Sequence, residues 1–157
     1  MLGRLSPQEI ESVLYGQLVG RIGCHADGET YVVPISYVYD GQAVICHTNE
    51  GKKLRMMRAN PKVCFQVDDM MDMANWKSVI VQGTFEIIED DAARNTAMKR
   101  LLERYLPMIS SITTHLGEHW PFYPQNFTEI GGQVFVIRVG ERTGCFERET
   151  ASPALHG

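Results

Sequence analysis

No run in the 157-residue chain approaches the ~18 consecutive apolar residues that a membrane-spanning helix needs. The opening MLGRLSPQEIESVL has neither an apolar h-region nor a small-residue cleavage site, so no secretory leader is read and a cytoplasmic protein is expected. Positive charge is not in excess. Fifteen Lys and Arg face nineteen Asp and Glu, a formal net charge of −4, which is unlike the basic face of a duplex-DNA binder. Cysteine is sparse: Cys24, Cys46, Cys64 and Cys145 form no C-x-x-C and no zinc-ribbon spacing, and reduced thiols are expected. No G-x-G-x-x-G, P-loop, G-x-S-x-G or kinase signature occurs, nor any internal repeat, linker or low-complexity tract. His115 and His119, with Leu116, Gly117 and Glu118 between them, match H-x-x-E-H by letter. Gly117 and the nearby Pro121 disfavour the regular helix that would bring both imidazoles to one ion, so no metal site is read.

What is present is an ordinary globular composition, 44% hydrophobic and 22% charged. A chain of this size buries roughly 68–70% of its unfolded surface, enough for one core. A single domain over residues 1–150 is expected, with 151–157 as a frayed tail.

Ser6-Pro7-Gln8-Glu9 is a helix start with a capping box, followed by Ile10, Val13, Leu14 and Leu18 at helical spacing. From Leu18 the pattern becomes strand-like. Strands are expected at Leu18–His25, Tyr31–Tyr39 and Ala43–Thr48, with turns at Asp27-Gly28 and Asp40-Gly41. Pro34 places the second of these at a sheet edge or a bulge. Gly51–Asn60 reads as a short helix, Lys62–Val67 as a strand and Asp68–Asn75 as an acidic, Met-rich loop. Trp76–Glu89 is a long strand with a bend at Gly83. A helix capped by Asp90 or Asp91 carries an apolar stripe from Ala93 to Leu106 and ends or kinks at Pro107. Thr113–Gly132 is irregular, and Gln133–Val139 is the last strand. Six strands with two or three helices point to a mainly β fold, an antiparallel barrel with helices packed outside.

The best site candidate is composite. The strand ending Cys46-His47-Thr48 runs through Asn49-Glu50-Gly51 into Lys52-Lys53, which open a helix. Unpaired N–H groups at a helix start, its dipole and two lysines make an anion site, and Gly51 lets a phosphate approach the backbone. The alternative is a solvated helix face, since four of the fifteen basic residues fall within Lys52–Arg58.

These segments, in order, resemble a known family. Tyr31-Val32-Val33-Pro34-Ile35-Ser36-Tyr37, His47-Thr48 with Gly51-Lys52-Lys53-Leu54, Asn60-Pro61-Lys62-Val63-Cys64-Phe65, and Trp76-Lys77-Ser78-Val79 with Gly83 are similar to the pyridoxamine 5′-phosphate oxidase-like family. The branch that includes nitroimidazole-resistance proteins is the nearest in pattern, and Thr143-Gly144 gives a weaker echo. The resemblance implies a six-stranded split β-barrel that forms a homodimer with FMN in clefts between the subunits. Carried over by position, Lys52, Lys53 and Thr48 would hold the FMN phosphate. Val33, Pro34, Ile35 and Ser36 would run beside the isoalloxazine ring and offer it main-chain hydrogen bonds. Ser78, with Trp76 near it, would reach the cofactor from the facing subunit. His47 would lie near the cofactor or be a hydrogen-bonded strand histidine; Trp76 would equally serve as a core or interface anchor. No side chain is named as catalytic.

One departure narrows the activity. True pyridoxamine phosphate oxidases place a cationic residue where this chain has Val32 and Tyr37, and an Arg-x-His motif near the C-terminus. The final strand here, Val134 to Arg142, has no such His, so vitamin B6 oxidation is not expected. The resemblance implies instead an FMN-dependent oxidoreductase passing electrons from a reduced nicotinamide to a small nitro or quinone acceptor, without nucleic acid or membrane as partner. The alternative is a flavin- or haem-binding module of the same fold that does not turn over.

Overall fold

A computed structural model of the chain describes residues 1–109 and 131–150. In chain order the elements are β1 (Leu2–Arg4), α1 (Pro7–Gly16), β2 (Val19–Ala26), β3 (Glu29–Ser36), β4 (Val38–Tyr39), β5 (Ala43–Thr48), α2 (Lys52–Ala59), β6 (Lys62–Asp72), β7 (Asn75–Ile87), α3 (Asp91–Ile109) and β8 (Gln133–Glu147). All strands join one antiparallel sheet in the order β3-β2-β6-β7-β8-β5-β4, with β1 on the far half of β8. Its two edges, β3 and β4, are consecutive in the chain with only Tyr37 between them. The sheet therefore curls until its edges meet at one end, without pairing along their length. This is a split barrel.

Local chemistry explains the turns. Asp27 (φ 53°) and Gly28 (φ 77°) both take the left-handed conformation that a two-residue hairpin between β2 and β3 demands. At the next hairpin Gly41 has φ 94°, and the Asp40 carboxylate accepts from the N–H groups of Gln42 and Ala43 at 2.8 and 2.7 Å. The Ser6–Glu9 capping box starts α1, each side chain accepting from the other residue's N–H at 3.2 Å.

The barrel interior is filled by Ile22, Phe65, Val67, Val79, Val81 and Phe135. Phe65 fits because a Cβ at position 20 would lie 2.2 Å from its ring, so only glycine leaves the space. α1 adds Ile10, Val13 and Leu14 to this core, and α2 adds Leu54 and Met57. Each such buried side chain contributes roughly 1.5–3 kcal/mol. A second cluster lies on the outer face of β5 and β8, where Ile45, Val134 and Val136 pack under Ala97, Met98 and Leu101 of α3. α3 also closes the barrel seam. The Tyr105 hydroxyl accepts from the Tyr37 N–H at 2.8 Å and lies 2.5 Å from the Leu18 carbonyl oxygen, while the Tyr37 hydroxyl donates to the Leu14 carbonyl at 2.6 Å.

Several expectations are corrected. The described residues form eight strands, because β1 is present and Tyr31–Tyr39 divides at Tyr37, where the chain leaves one sheet edge for the other. Residues 68–72 continue β6 instead of forming a loop. Asp68, Asp69 and Met70 stay paired with Ser78, Lys77 and Trp76 in an arm whose tip is exposed, so polarity there does not interrupt the ladder. β8 runs eight residues past Val139, to Glu147, because its second half pairs with β7 and β1. α3 continues through Pro107 to Ile109. As expected, β3 with Pro34 is a sheet edge, and the β7–β8 register shifts between Val81 and Gly83. The expectations for His115 and His119, for residues 113–130 and for the 151–157 tail lie outside the described residues.

Candidate functional site

One end of the open seam gathers the basic residues. β5 alternates, so Val44 and Cys46 face the core and Thr48 follows them at the barrel mouth. Thr48 is the one buried polar residue among the described residues. The Lys53 ammonium donates to its hydroxyl oxygen at 2.7 Å, which leaves the Thr48 proton available to another acceptor. α2 starts at Gly51, whose backbone is extended, makes no side-chain cap and has nothing within 4 Å of where a Cβ would be. The first amides of the helix therefore open onto free space beside the two lysines.

Lys52 leans toward β3. Its ammonium pairs with the Glu29 carboxylate and sits 4.9 Å from the centre of the Tyr31 ring. Arg58 is engaged elsewhere, with both guanidinium ends on Glu50 at 2.9 Å, tying the last turn of α2 to the loop before it. The basic run is thus not a uniform solvated face: three of its four cations have named partners.

β3 leads away from this cluster. Tyr31, Val33 and Ile35 pack against the core, whereas Val32, Pro34 and Ser36 point outward. β3 pairs with β2 alone among the described strands, so every second residue keeps a backbone N–H or C=O directed away from β2. Ser36 itself is exposed.

His47 points away from Thr48. Its Nε2 lies 2.7 Å from the Gly131 carbonyl oxygen, and burial pushes the imidazole below its ordinary pKa. Beside it, Gly132 (φ 83°) approaches so closely that a Cβ would lie 2.6 Å from the Thr48 carbonyl oxygen. Position 132 must be glycine for this turn to lie against the end of β5.

Trp76 and Ser78 lie elsewhere. Both are half-buried on the outer face of β7, where the Trp76 indole donates to Glu147 at 2.9 Å and the Ser78 hydroxyl accepts from Gln66 at 3.1 Å. Three strand spacings separate β7 from β3, roughly 14 Å along the sheet. Register carries Ser78 through Asp68 and β2 to the Ser36 end of β3, seven residues from Glu29, or roughly 23 Å at ~3.3 Å per residue. Within one chain, Lys53 meets Thr48 and Lys52 meets Glu29 at the first residue of β3, both lysines opening α2; Trp76 and Ser78 do not join them.

Among the described residues, nothing covers the outer face between these points. Val32, Val19 and Ile80 are 61%, 49% and 44% exposed, and an open trough of about 760 Å³ crosses the same face past His25, Cys64, Gln82 and Arg138.

Residues 6–144 match the family described as pyridoxamine 5′-phosphate oxidase. The chain belongs to that family. An FAD-binding protein of Mesorhizobium loti is 29% identical, with a TM-score of 0.73 over 93% of this chain and 98% of its own. The FAD-binding protein of Mycobacterium smegmatis is 25% identical, with a TM-score of 0.63 over 93% of this chain and 98% of its own. A candidate 5-nitroimidazole antibiotic resistance protein of Bacteroides thetaiotaomicron shares the fold at 20% identity, with a TM-score of 0.71 over 93% of this chain and 87% of its own. An uncharacterized protein of Rhizobium meliloti is 34% identical over 82 residues, 52% of this chain; the match spans only 54% of that relative's length.

Glu29, Gly132 and the contact of Tyr31 with Lys52 escaped the reading of the sequence. Glu29 is 23 positions from Lys52, and only the β2–β3 hairpin together with the placement of α2 brings the two into contact. Gly131-Gly132 did carry a signal, a glycine pair directly before a strand.

Proposed function

We propose that the chain binds a flavin, FMN, along β3, with the phosphate against Lys52, Lys53, Thr48 and the start of α2. The observation that carries this reading is an uncapped helix start with two adjacent lysines, one on the buried Thr48 hydroxyl and the other at the first residue of an unpaired strand edge. The donor set suits a phosphate: charge-assisted donors, amides and a hydroxyl, with space at Gly51. The Glu29 carboxylate on Lys52 is already an anion in that cradle. Further along, the backbone of Val33 to Ser36 offers donors and acceptors to the polar edge of a ring without any side chain. Family membership and the likeness to two FAD-binding proteins support the flavin.

The cofactor site is shared in this reading. Val19, Val32 and Ile80 are exposed on a face that a second copy would cover, and Trp76 and Ser78 are too far from Lys52 to serve the same phosphate within one chain. The chain is accordingly proposed to act as a homodimer, Trp76 and Ser78 closing the partner's cleft.

Bound flavin supplies the redox chemistry, between a reduced nicotinamide and a small acceptor of the nitro or quinone class. The chain's own residues bind the phosphate, orient the ring and keep water from it. The visible spectrum of the purified protein tests the cofactor: the paired bands of a flavin are expected, and a haem Soret band would overturn the assignment. Acceptor-dependent consumption of NADH or NADPH separates an enzyme from a binding module. Ser36→Ala, which spares the backbone, is expected to change FMN affinity by less than about tenfold, or ~1.4 kcal/mol, in a fluorescence titration.

A further inference from the structure

The Tyr105 hydroxyl stands where β3 ends. It accepts from the Tyr37 N–H at 2.8 Å, and its single proton is shared between the carbonyl oxygens of Leu18 at 2.5 Å and Tyr37 at 2.6 Å. Closing the seam does not require this contact. Tyr37 is already fixed by its own ring, which is buried, meets Phe65 edge-on at 5.0 Å and donates its hydroxyl to the Leu14 carbonyl. α3 is anchored by Ala97, Met98 and Leu101 and by Arg104, which donates to the Tyr15 and Gln17 carbonyls at the end of α1. What the Tyr105 hydroxyl adds is a direction. The Tyr37 N–H belongs to the peptide unit that also carries the Ser36 carbonyl, and in a trans peptide the two point in opposite senses. The N–H faces Leu18 and Tyr105, so the Ser36 carbonyl faces the open edge of β3. Without the Tyr105 hydroxyl, the N–H keeps only its longer bond to Leu18, at 3.2 Å.

We propose that Tyr105 is a positioning residue for the cofactor: by holding the Tyr37 N–H, it aims the Ser36 carbonyl at the ring of the flavin. The inference rests on the flavin reading and adds to it a residue of another element, α3, that never touches the ligand. An oxidised isoalloxazine has one N–H, at N3, so a carbonyl on the strand edge can accept a hydrogen bond from the ring only there. A peptide unit already held in direction loses less freedom on binding than one that can swing. The effect belongs to the ring end of the site, away from the lysines, so it acts whether or not the flavin carries a phosphate.

Titrations of FMN and of 3-methyl-FMN, which lacks that N–H, against the wild-type chain, Tyr105→Phe and Arg104→Gln test this. The wild-type chain should bind 3-methyl-FMN at least about tenfold more weakly than FMN. Tyr105→Phe, which keeps the ring and removes only the hydroxyl, should weaken FMN about fivefold and 3-methyl-FMN by less than about twofold. Arg104→Gln, which loosens α3 without touching the Tyr37 peptide, should leave both affinities as they are. Equal losses for the two flavins in Tyr105→Phe, or a matching loss in Arg104→Gln, would make Tyr105 a brace of the seam and overturn the inference. Unchanged FMN affinity in Tyr105→Phe would overturn it too. A wild-type chain indifferent to the methyl group would overturn it without any variant, while leaving the cofactor assignment in place. If the wild-type chain bound neither flavin, the cofactor reading would fall and the inference with it.

Discussion

Replacing Lys52 and Lys53 together by Ala is expected to weaken FMN binding at least about a hundredfold while leaving riboflavin affinity nearly unchanged. Each lysine offers a charge-assisted hydrogen bond of ~1.5–3 kcal/mol, and two at the lower limit already amount to about two powers of ten. The surroundings deepen the loss. Without Lys52, the Glu29 carboxylate faces the phosphate with no cation between them. Without Lys53, the buried Thr48 hydroxyl loses its donor. An unsatisfied buried polar group costs about 1–3 kcal/mol, so circular dichroism and a thermal melt must accompany the titration to separate lost binding from lost structure. Riboflavin is the decisive control, since it has the ring but no phosphate. Wild-type FMN affinity in a folded double variant would return Lys52 and Lys53 to the role of a charged helix face and leave β3 alone to hold the cofactor.

The fold was legible wherever one face of an element is buried. Alternation at Val63, Phe65 and Val67, or at Val79 and Val81, is the direct image of a barrel interior on one side and an outer face on the other. Turn chemistry at Asp27-Gly28 and Asp40-Gly41 was legible for an equally local reason, the left-handed φ that few residues adopt. What escaped lacks such an image. β1 is three residues long and exists because the end of β8 offers it a ladder. The arm formed by β6 and β7 has polar and Met residues on both faces near its tip, so composition reads it as a loop although its backbone pairs through Met70 and Trp76. Tyr105 looks like one more member of an apolar stripe, yet its hydroxyl joins Tyr37, where the chain passes from one sheet edge to the other, to Leu18 just ahead of β2.

The candidate site divides along the same line. Thr48, Gly51, Lys52 and Lys53 lie within six positions of one another, and a strand-to-helix junction is a local arrangement that sequence displays. Glu29 and Tyr31 enter through the packing of α2 against the β2–β3 hairpin, and the Gly131-Gly132 turn reaches His47 and Thr48 across 84 positions of chain. The charge balance of the cradle therefore depends on a residue that the lysine motif does not announce.

Mixing two defective chains should restore cofactor binding that neither has alone. One chain carries Lys52→Ala with Lys53→Ala; the other carries Trp76→Ala with Ser78→Ala, which is expected to weaken FMN at least about tenfold by removing a ring and a hydroxyl from the partner's cleft. The basis is the geometry of a single chain, in which Ser78 lies three strands across the sheet and seven residues along β3 from the level of Glu29 and Lys52. If each cleft takes its lysines from one copy and Trp76 and Ser78 from the other, a hybrid dimer has one cleft made wholly of native residues and one that lacks both sets. Random reassortment makes about half of the dimers hybrids, so roughly a quarter of all clefts should recover native affinity. A titration of the re-equilibrated mixture would then show a tight phase of that size, absent from either parent. If each cleft were built from one chain, every cleft in the mixture would carry one defect or the other, and no tight phase could form. Light scattering on the same samples should give the mass of two chains; a monomer that still bound FMN would exclude the shared cleft directly.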